Sequence, residues 1–192
     1  MLKSFTAILI LLLVLSAWGQ DGKKPNEPES LSVFYSLDSS GQLVPLESQV
    51  IRLQHKYHAL GFAGGTTVYL VKGDQSPVRL HAESKLEFVV RLEANVDPLE
   101  AVQFYHLNGE NNSRVMPIVD FDPLGRASLA TMRPATIDFN AVKQGTSSYK
   151  LVPIQALVPG EYCLIVKTPN QWPGRITGFC FGVDAAAMRG TP

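Results

Sequence analysis

Glu161-Tyr162-Cys163-Leu164-Ile165-Val166-Lys167 and Ile176-Thr177-Gly178-Phe179-Cys180-Phe181-Gly182-Val183 are the two runs that decide the fold. Between them stands Thr168-Pro169-Asn170-Gln171-Trp172-Pro173-Gly174-Arg175, whose two prolines, asparagine and glycine mark a loop. Apolar runs joined by such a loop read as an antiparallel hairpin. If the hairpin is symmetric about Gln171 and Trp172, residues whose numbers total 343 face each other, as Cys163 and Cys180 do. Alternation places Tyr162, Leu164 and Val166 with Phe179, Phe181 and Val183 on one face, and both cysteines on the other. A cross-strand disulfide is geometrically open, and so is a reduced pair packed as small apolar residues. The bond would close a loop of 16 intervening residues, worth about 3 kcal/mol in the chain-entropy account.

Upstream of the hairpin the same texture repeats. Runs rich in Val, Ile, Leu, Phe and Tyr predict strands over Ser32–Leu37, Gln42–Leu46, Thr66–Lys72, Val78–His81, Leu86–Leu92, Ala101–Leu107, Arg114–Val119, Thr136–Asn140 and Tyr149–Ile154. Asp38-Ser39-Ser40-Gly41 and Asn108-Gly109-Glu110-Asn111-Asn112-Ser113 supply hairpin turns. Over Glu47–Leu60 a helical turn or two is expected, although Arg52, His55, Lys56 and His58 interrupt any apolar stripe. Short strands with frequent turn signals predict an all-β protein, a sandwich or barrel. Leu31–Lys72 could form a β unit of its own, but about 40 residues scarcely hold a core alone. One domain is therefore expected over 31–184, with a flexible tail over 185–192.

The joint before the hairpin, Leu157-Val158-Pro159-Gly160-Glu161-Tyr162, resembles the tyrosine corner of immunoglobulin-like and fibronectin type III sandwiches. The resemblance implies that Gly160 permits the turn, Pro159 stiffens its approach and the Tyr162 hydroxyl bonds back to the backbone. It implies an immunoglobulin-like antiparallel sandwich with additional N-terminal strands. Together with Phe179-Cys180-Phe181-Gly182-Val183-Asp184, the corner also resembles a loose group of uncharacterised exported bacterial proteins. That likeness implies fold and export and carries no activity, because sandwiches host many unrelated functions.

The N-terminus reads as a leader. Lys3 precedes an apolar run from Phe5 to Leu15, well short of the roughly 20 residues a bilayer span requires. Ala17-Trp18-Gly19 places small residues where a signal peptidase reads, so residues 1–19 are expected to be removed before Gln20. No cysteine stands at the junction to take a lipid. Residues 20–30, with two prolines and five charges, read as a disordered tether. The 17 basic and 17 acidic residues cancel, and loss of Lys3 leaves a net charge of −1. Such a chain has no basic field for nucleic acid. The expected location is exported, periplasmic or extracellular, with no membrane span after cleavage.

Candidate sites are sparse. His55 and His58 share a face if helical and could ligate a metal, but no supporting Glu or Cys follows and Lys56 repels a cation. Asp120-Phe121-Asp122-Pro123-Leu124-Gly125 has the opening of a calcium loop without its continuation, and reads as an Asp-Pro turn. Ala63-Gly64-Gly65-Thr66-Thr67 lacks the P-loop lysine and reads as a turn or bulge. No Gly-x-Ser-x-Gly occurs, and Glu83, Glu87, Glu93, Glu100 and Glu110 are too scattered to nominate a glycosidase pair. Trp172, in the loop of the hairpin, is the candidate contact residue for a partner or a sugar ring. No metal, catalytic group or cofactor is nominated. The expected function is a non-enzymatic exported module binding a protein or cell-envelope component. The alternative is an envelope hydrolase or carbohydrate-active protein with a loop-assembled site.

Overall fold

The computed structural model describes residues 27–82, 85–127, 136–167 and 175–185. Strands β11 (Gly160–Val166) and β12 (Arg175–Asp184) pair antiparallel in the register read from the sequence, Tyr162 opposite Phe181 and Cys163 opposite Cys180. Both faces of this pair are buried. Tyr162, Leu164, Val166, Phe179, Phe181 and Val183 enter one apolar cluster, and Cys163, Ile165 and Cys180 enter a second.

The second cluster exists because one sheet closes on itself. Strands β3 (Glu47–Tyr57), β4 (Gly65–Lys72), β7 (Val102–Glu110) and β8 (Ser113–Phe121) join the pair in the order β11-β7-β8-β4-β3-β12, and β12 returns to β11. The six strands form a ring, and each sends side chains inward: Ile51, Val71, Tyr105, Leu107, Met116, Cys163, Ile165 and Cys180. A short strand, β5 (Arg79–His81), adds in parallel to the end of β12.

The other layer is a five-stranded sheet in the order β2-β1-β6-β10-β9. Its members are β1 (Phe34–Leu37), β2 (Leu43–Pro45), β6 (Phe88–Arg91), β9 (Phe139–Lys143) and β10 (Ser148–Pro153). Phe34, Phe88, Val90 and Leu151 pack from this sheet against Phe104, Tyr162, Leu164, Phe179 and Phe181 of the ring. Phe88 and Phe181 lie 4.8 Å apart between ring centroids, Tyr162 and Phe181 5.5 Å. The all-β sandwich expected from the strand pattern is present, with one layer rolled closed.

One expectation is overturned. Glu47–Leu60 is not helical: it is the eleven-residue strand β3, followed by a single 3-10 turn at Ala59–Gly61. Gln49, Ile51 and Leu53 turn inward while Val50, Arg52 and Gln54 face out. On a strand Arg52 and Lys56 fall on the face opposite Ile51, while His55 shares the face of Ile51 and Leu53. The expected strand from Thr136 begins only at Phe139, with Thr136 making an isolated bridge to Tyr105. Glu27–Ser30, within the expected tether, touches the domain: Pro28 is buried and the Glu27 carboxylate accepts a hydrogen bond from Ser148 Oγ at 2.8 Å. Residues 1–19 and the tail beyond Ala185 lie outside the described residues.

The corner before β11 has the expected bond, Tyr162 Oη donating to the Val158 carbonyl at 2.7 Å. A hydrogen bond of this kind is worth about 1 kcal/mol net. A Cβ at Gly160 would lie 2.7 Å from His106 Nε2, so the imidazole would have to shift to admit a larger residue.

Charges close one end of the ring. Arg114 is fully buried. Its Nη1 donates to Glu47 at 3.0 Å and to Glu161 at 3.3 Å, and its Nε and Nη2 reach the carbonyls of Gly73 and Lys72. Glu161 also accepts from the Ser76 amide at 2.8 Å and pairs with Arg79, which in turn holds Asp184. Burial alone would raise the Glu47 pKa, but hydrogen bonds from Arg114, Gln49 and Ser76 outweigh it and hold the carboxyl below its ordinary range. Removing one partner from a buried pair of this kind typically costs about 3–5 kcal/mol.

Candidate functional site

The ladder between β12 and β3 ends at Arg175 opposite Arg52, but β3 runs on to Tyr57. Beyond that point, among the described residues, Leu53–Tyr57 pair with β4 alone, and β4 pairs onward with β8 as far as Phe121. A three-stranded tongue thus extends past the ring. Its underside is aromatic: the Phe121 ring meets His55 at 5.9 Å and Tyr57 at 5.6 Å, both edge-on. Gly65 opposes Phe121 and must be glycine, because a Cβ would sit 2.5 Å from Phe121 Cζ and 2.3 Å from the Lys56 carbonyl. Gly64 has φ +77°, and its missing Cβ lets the turn lie against the backbone of Phe121 and Asp122. The glycine pair is a packing device with a bulge at Thr67/Val68, as the turn-or-bulge reading expected.

The turn at the end of the tongue is strained and apolar. Ala59 and Leu60 both take left-handed φ, +45° and +56°, a conformation that costs an L-residue roughly 1–2 kcal/mol. The Phe62 amide donates to the Ala59 carbonyl at 3.1 Å and the His58 amide to Gly64 at 2.9 Å, which hold the turn shut. This conformation leaves Leu60 96% exposed and Phe62 86% exposed, with Tyr57 at 65% on the strand beneath. Leu124, 76% exposed, adds to the set from the β8 turn that abuts Gly64.

The polar candidates are occupied locally. His55 Nδ1 shares a hydrogen bond with Thr67 Oγ1 at 2.9 Å, and His58 Nε2 with Thr66 Oγ1 at 3.1 Å. His55 lies on β3 and His58 beyond its end, and each is held by a different threonine. Asp120 accepts from Thr66 Oγ1 at 2.6 Å. Asp122 accepts from the amides of Leu124 and Arg126 and from Arg126 Nε; the bonds from Arg126 hold its carboxyl below the ordinary range. Among the described residues no cluster of His, Cys, Asp or Glu could hold a metal ion.

Other nominated residues disperse. Glu87 pairs with Lys85 and Lys150, Glu110 with Lys56, and Glu83 and Trp172 lie outside the described residues. Asn111 and Asn112 form the two-residue turn between β7 and β8, both with positive φ. Glu93 and Glu100 do meet, with Asp97, around a cleft of about 310 Å³ floored by Leu92, Ala101 and Val166. Asp97 caps the four-residue helix α1 (Pro98–Ala101), accepting from the Leu99 amide at 2.9 Å. A second cleft, of about 220 Å³, lies beside the Tyr162 corner and carries Asp138 as its one carboxylate. No described helix is long and apolar enough to cross a membrane.

Sequence reading missed the tongue because Glu47–Leu60 looked helical, so Tyr57 and Leu60 passed as part of an interrupted helix and Phe62 was not singled out. An alternating count over Gln49, Ile51 and Leu53 is the signal that finds it. Comparison with protein-family models, with curated proteins and with solved structures finds no match to this chain.

The strain at the turn is measurable. Replacing Leu60 by glycine, which takes φ +56° without steric cost, is expected to stabilise the protein by up to about 1 kcal/mol. Denaturant unfolding of the variant checks this, and a loss of stability would show that the exposed Leu60 side chain is held by contacts rather than by its backbone.

Proposed function

We propose that the protein is an exported, non-enzymatic β-sandwich module that binds a protein or cell-envelope component through the tip of its β3–β4 tongue. One observation carries the reading: Tyr57, Leu60, Phe62 and Leu124 are exposed on the tongue and the turn that abuts it, Leu60 with left-handed backbone. Exposed apolar surface gathered on one element is a mark of interaction sites. Strained backbone also concentrates at functional positions. The histidines and paired aspartates around the tip are engaged by threonines and by Arg126, which supports contact rather than catalysis.

A second reading rests on the cleft lined by Glu93, Asp97 and Glu100. Carboxylates around an apolar floor suit an envelope hydrolase or carbohydrate-active protein. The two readings separate in one experiment. Protein recovered from the exporting compartment should be retained by washed envelope fractions. Leu60→Ser with Phe62→Ser should lower retention at least tenfold, and Glu93→Gln with Glu100→Gln should leave it unchanged. Glycan hydrolysis lost in the carboxylate variant, with retention indifferent to the tip, would favour the enzyme.

Export with cleavage at Gly19-Gln20 is part of the proposal, supported by the leader-like composition of residues 1–19. So is a Cys163–Cys180 disulfide. The two residues are direct cross-strand partners, fully buried, and stand in the structure as free thiols with sulfur atoms 2.7 Å apart. Burial first, and the neighbouring Cys180 second, push the Cys163 thiol well up, so that thiol is a poor nucleophile once folded. The bond would form before the ring closes: the two thiols release two protons and pass two electrons to a disulfide oxidant, which leaves as two thiols. Intact mass of the recovered protein should start at Gln20 and be two hydrogens below the reduced value. Two alkylatable thiols after denaturation would contradict the bond, and a chain starting at Met1 would contradict export.

A further inference from the structure

Charge at the plugged end of the ring holds down a strand edge. The ladder from β3 to β12 stops at Cys180. Beyond it, among the described residues, the outward edge of β12 pairs with β5 alone, Gly182 opposite Arg79, Val183 opposite Leu80 and Asp184 opposite His81. A ladder this short is marginal by itself. β5 belongs to residues 73–82, a strap laid over the opening. The Gly182 amide donates to the Val78 carbonyl at 2.9 Å and the Ala82 amide to the Asp184 carbonyl at 3.2 Å. Ser76, buried, donates its hydroxyl to the Cys180 carbonyl at 3.4 Å. Val78, Leu80 and Ala82 are only partly buried against the apolar cluster between the layers.

The firmest attachments are ionic. Glu161 of β11 stands between two arginines, bonded by Arg79 of the strap on one oxygen and by buried Arg114 of β8 on the other. The Ser76 amide donates to that second oxygen at 2.8 Å. Arg79 Nε donates to Asp184 at 3.1 Å, and Glu47 of β3 is the second carboxylate on Arg114. His81 faces Asp184 from β5, His106 of β7 adjoins Gly160, and the Cys163 and Cys180 thiols lie beside Arg114. Lys72 and Asp74, where the strap begins, are exposed. Three carboxylates thus serve two arginines, and one of those arginines is the strap's own.

We infer that residues 73–82 form an acid-released strap, which covers the β12 edge while Glu47, Glu161 and Asp184 are ionised and lifts as they protonate. Bonds from Arg79 hold the Asp184 carboxyl below its ordinary range. Glu47 is held low as well, against its burial, by Arg114 before its other partners. The contribution of both is complete above the ordinary carboxylate range, about pH 4.5, and is lost as the pH falls through the lowered values. Arg114 then stands in the interior without its counter-charges, and lifting the strap lets water reach it. Residues 182–184 of β12 are laid bare, offering N–H and C=O groups to a partner strand.

Native-state amide hydrogen exchange of the whole recovered chain, read as protection relative to an unstructured chain, tests the strap at about pH 7 and about pH 3.5. On acidification the amides of Ser76, Ala82 and Gly182 should lose at least tenfold in protection. At the lower pH those of Leu164 and Ile165 should still be protected at least a hundredfold more. Asp184→Asn, at a partly exposed position, should lower strap protection several-fold at neutral pH and shrink the response to acid. Strap protection indifferent to pH, or wild-type protection in Asp184→Asn, overturns the proposal. One common rate for strap and core amides in acid also overturns it, since the chain would then be unfolding as a whole.

Discussion

Burial of the β11–β12 pair on both faces is the constraint on which the rest of the structure depends. Tyr162, Leu164, Phe179 and Phe181 belong to the core between the two layers, while Cys163, Ile165 and Cys180 belong to the core inside the ring. A strand with one wet face tolerates polar residues at alternate positions; this pair, over Tyr162–Val166, tolerates none. Because β12 must pair with β11 on one side and β3 on the other, the larger layer closes instead of ending in an open edge. Closure removes the exposed ladder that an open sheet would present.

Closure also creates a problem at the end of the ring, where backbone carbonyls and inward-facing positions lose water. Arg114 answers it from within, satisfying the carbonyls of Lys72 and Gly73 and two carboxylates at once. Arg79 extends the network to Asp184 and ties β5 across the opening. A buried charge of this sort is stable only when every partner is present. At the other end, among the described residues, β3, β4 and β8 continue beyond the β12–β3 ladder as a tongue with an exposed apolar turn.

Much of this was legible in the residues. The hairpin register followed from the loop and the alternation, and the Tyr162 hydroxyl bond was implied by the resemblance of Leu157–Tyr162 to a tyrosine corner. The turns at Asp38–Gly41 and Asn111-Asn112 also fell where their residue types put them. What escaped reading depends on long-range closure. Continuous burial of Tyr162–Val166 is equally consistent with a buried sheet and with a strand shared by two cores. Arg114 and Glu47 each look like ordinary solvent-facing charges until the ring brings them together. The tongue was obscured because Arg52, His55 and Lys56 disrupt a helical stripe, whereas on a strand Arg52 and Lys56 share one face and His55 falls on the other, against Phe121.

The account's central claim is that the β11–β12 pair is held from both sides, and native-state amide hydrogen exchange tests it most directly. Amides of Cys163–Ile165 and Phe179–Phe181 should exchange only through global unfolding, with a free energy equal to that of the whole protein. Amides of the edge strands β2 and β9 should open locally and exchange far faster. Exchange of the β11–β12 amides at the rate of those edge strands would contradict a doubly buried hairpin, and the closed ring with it.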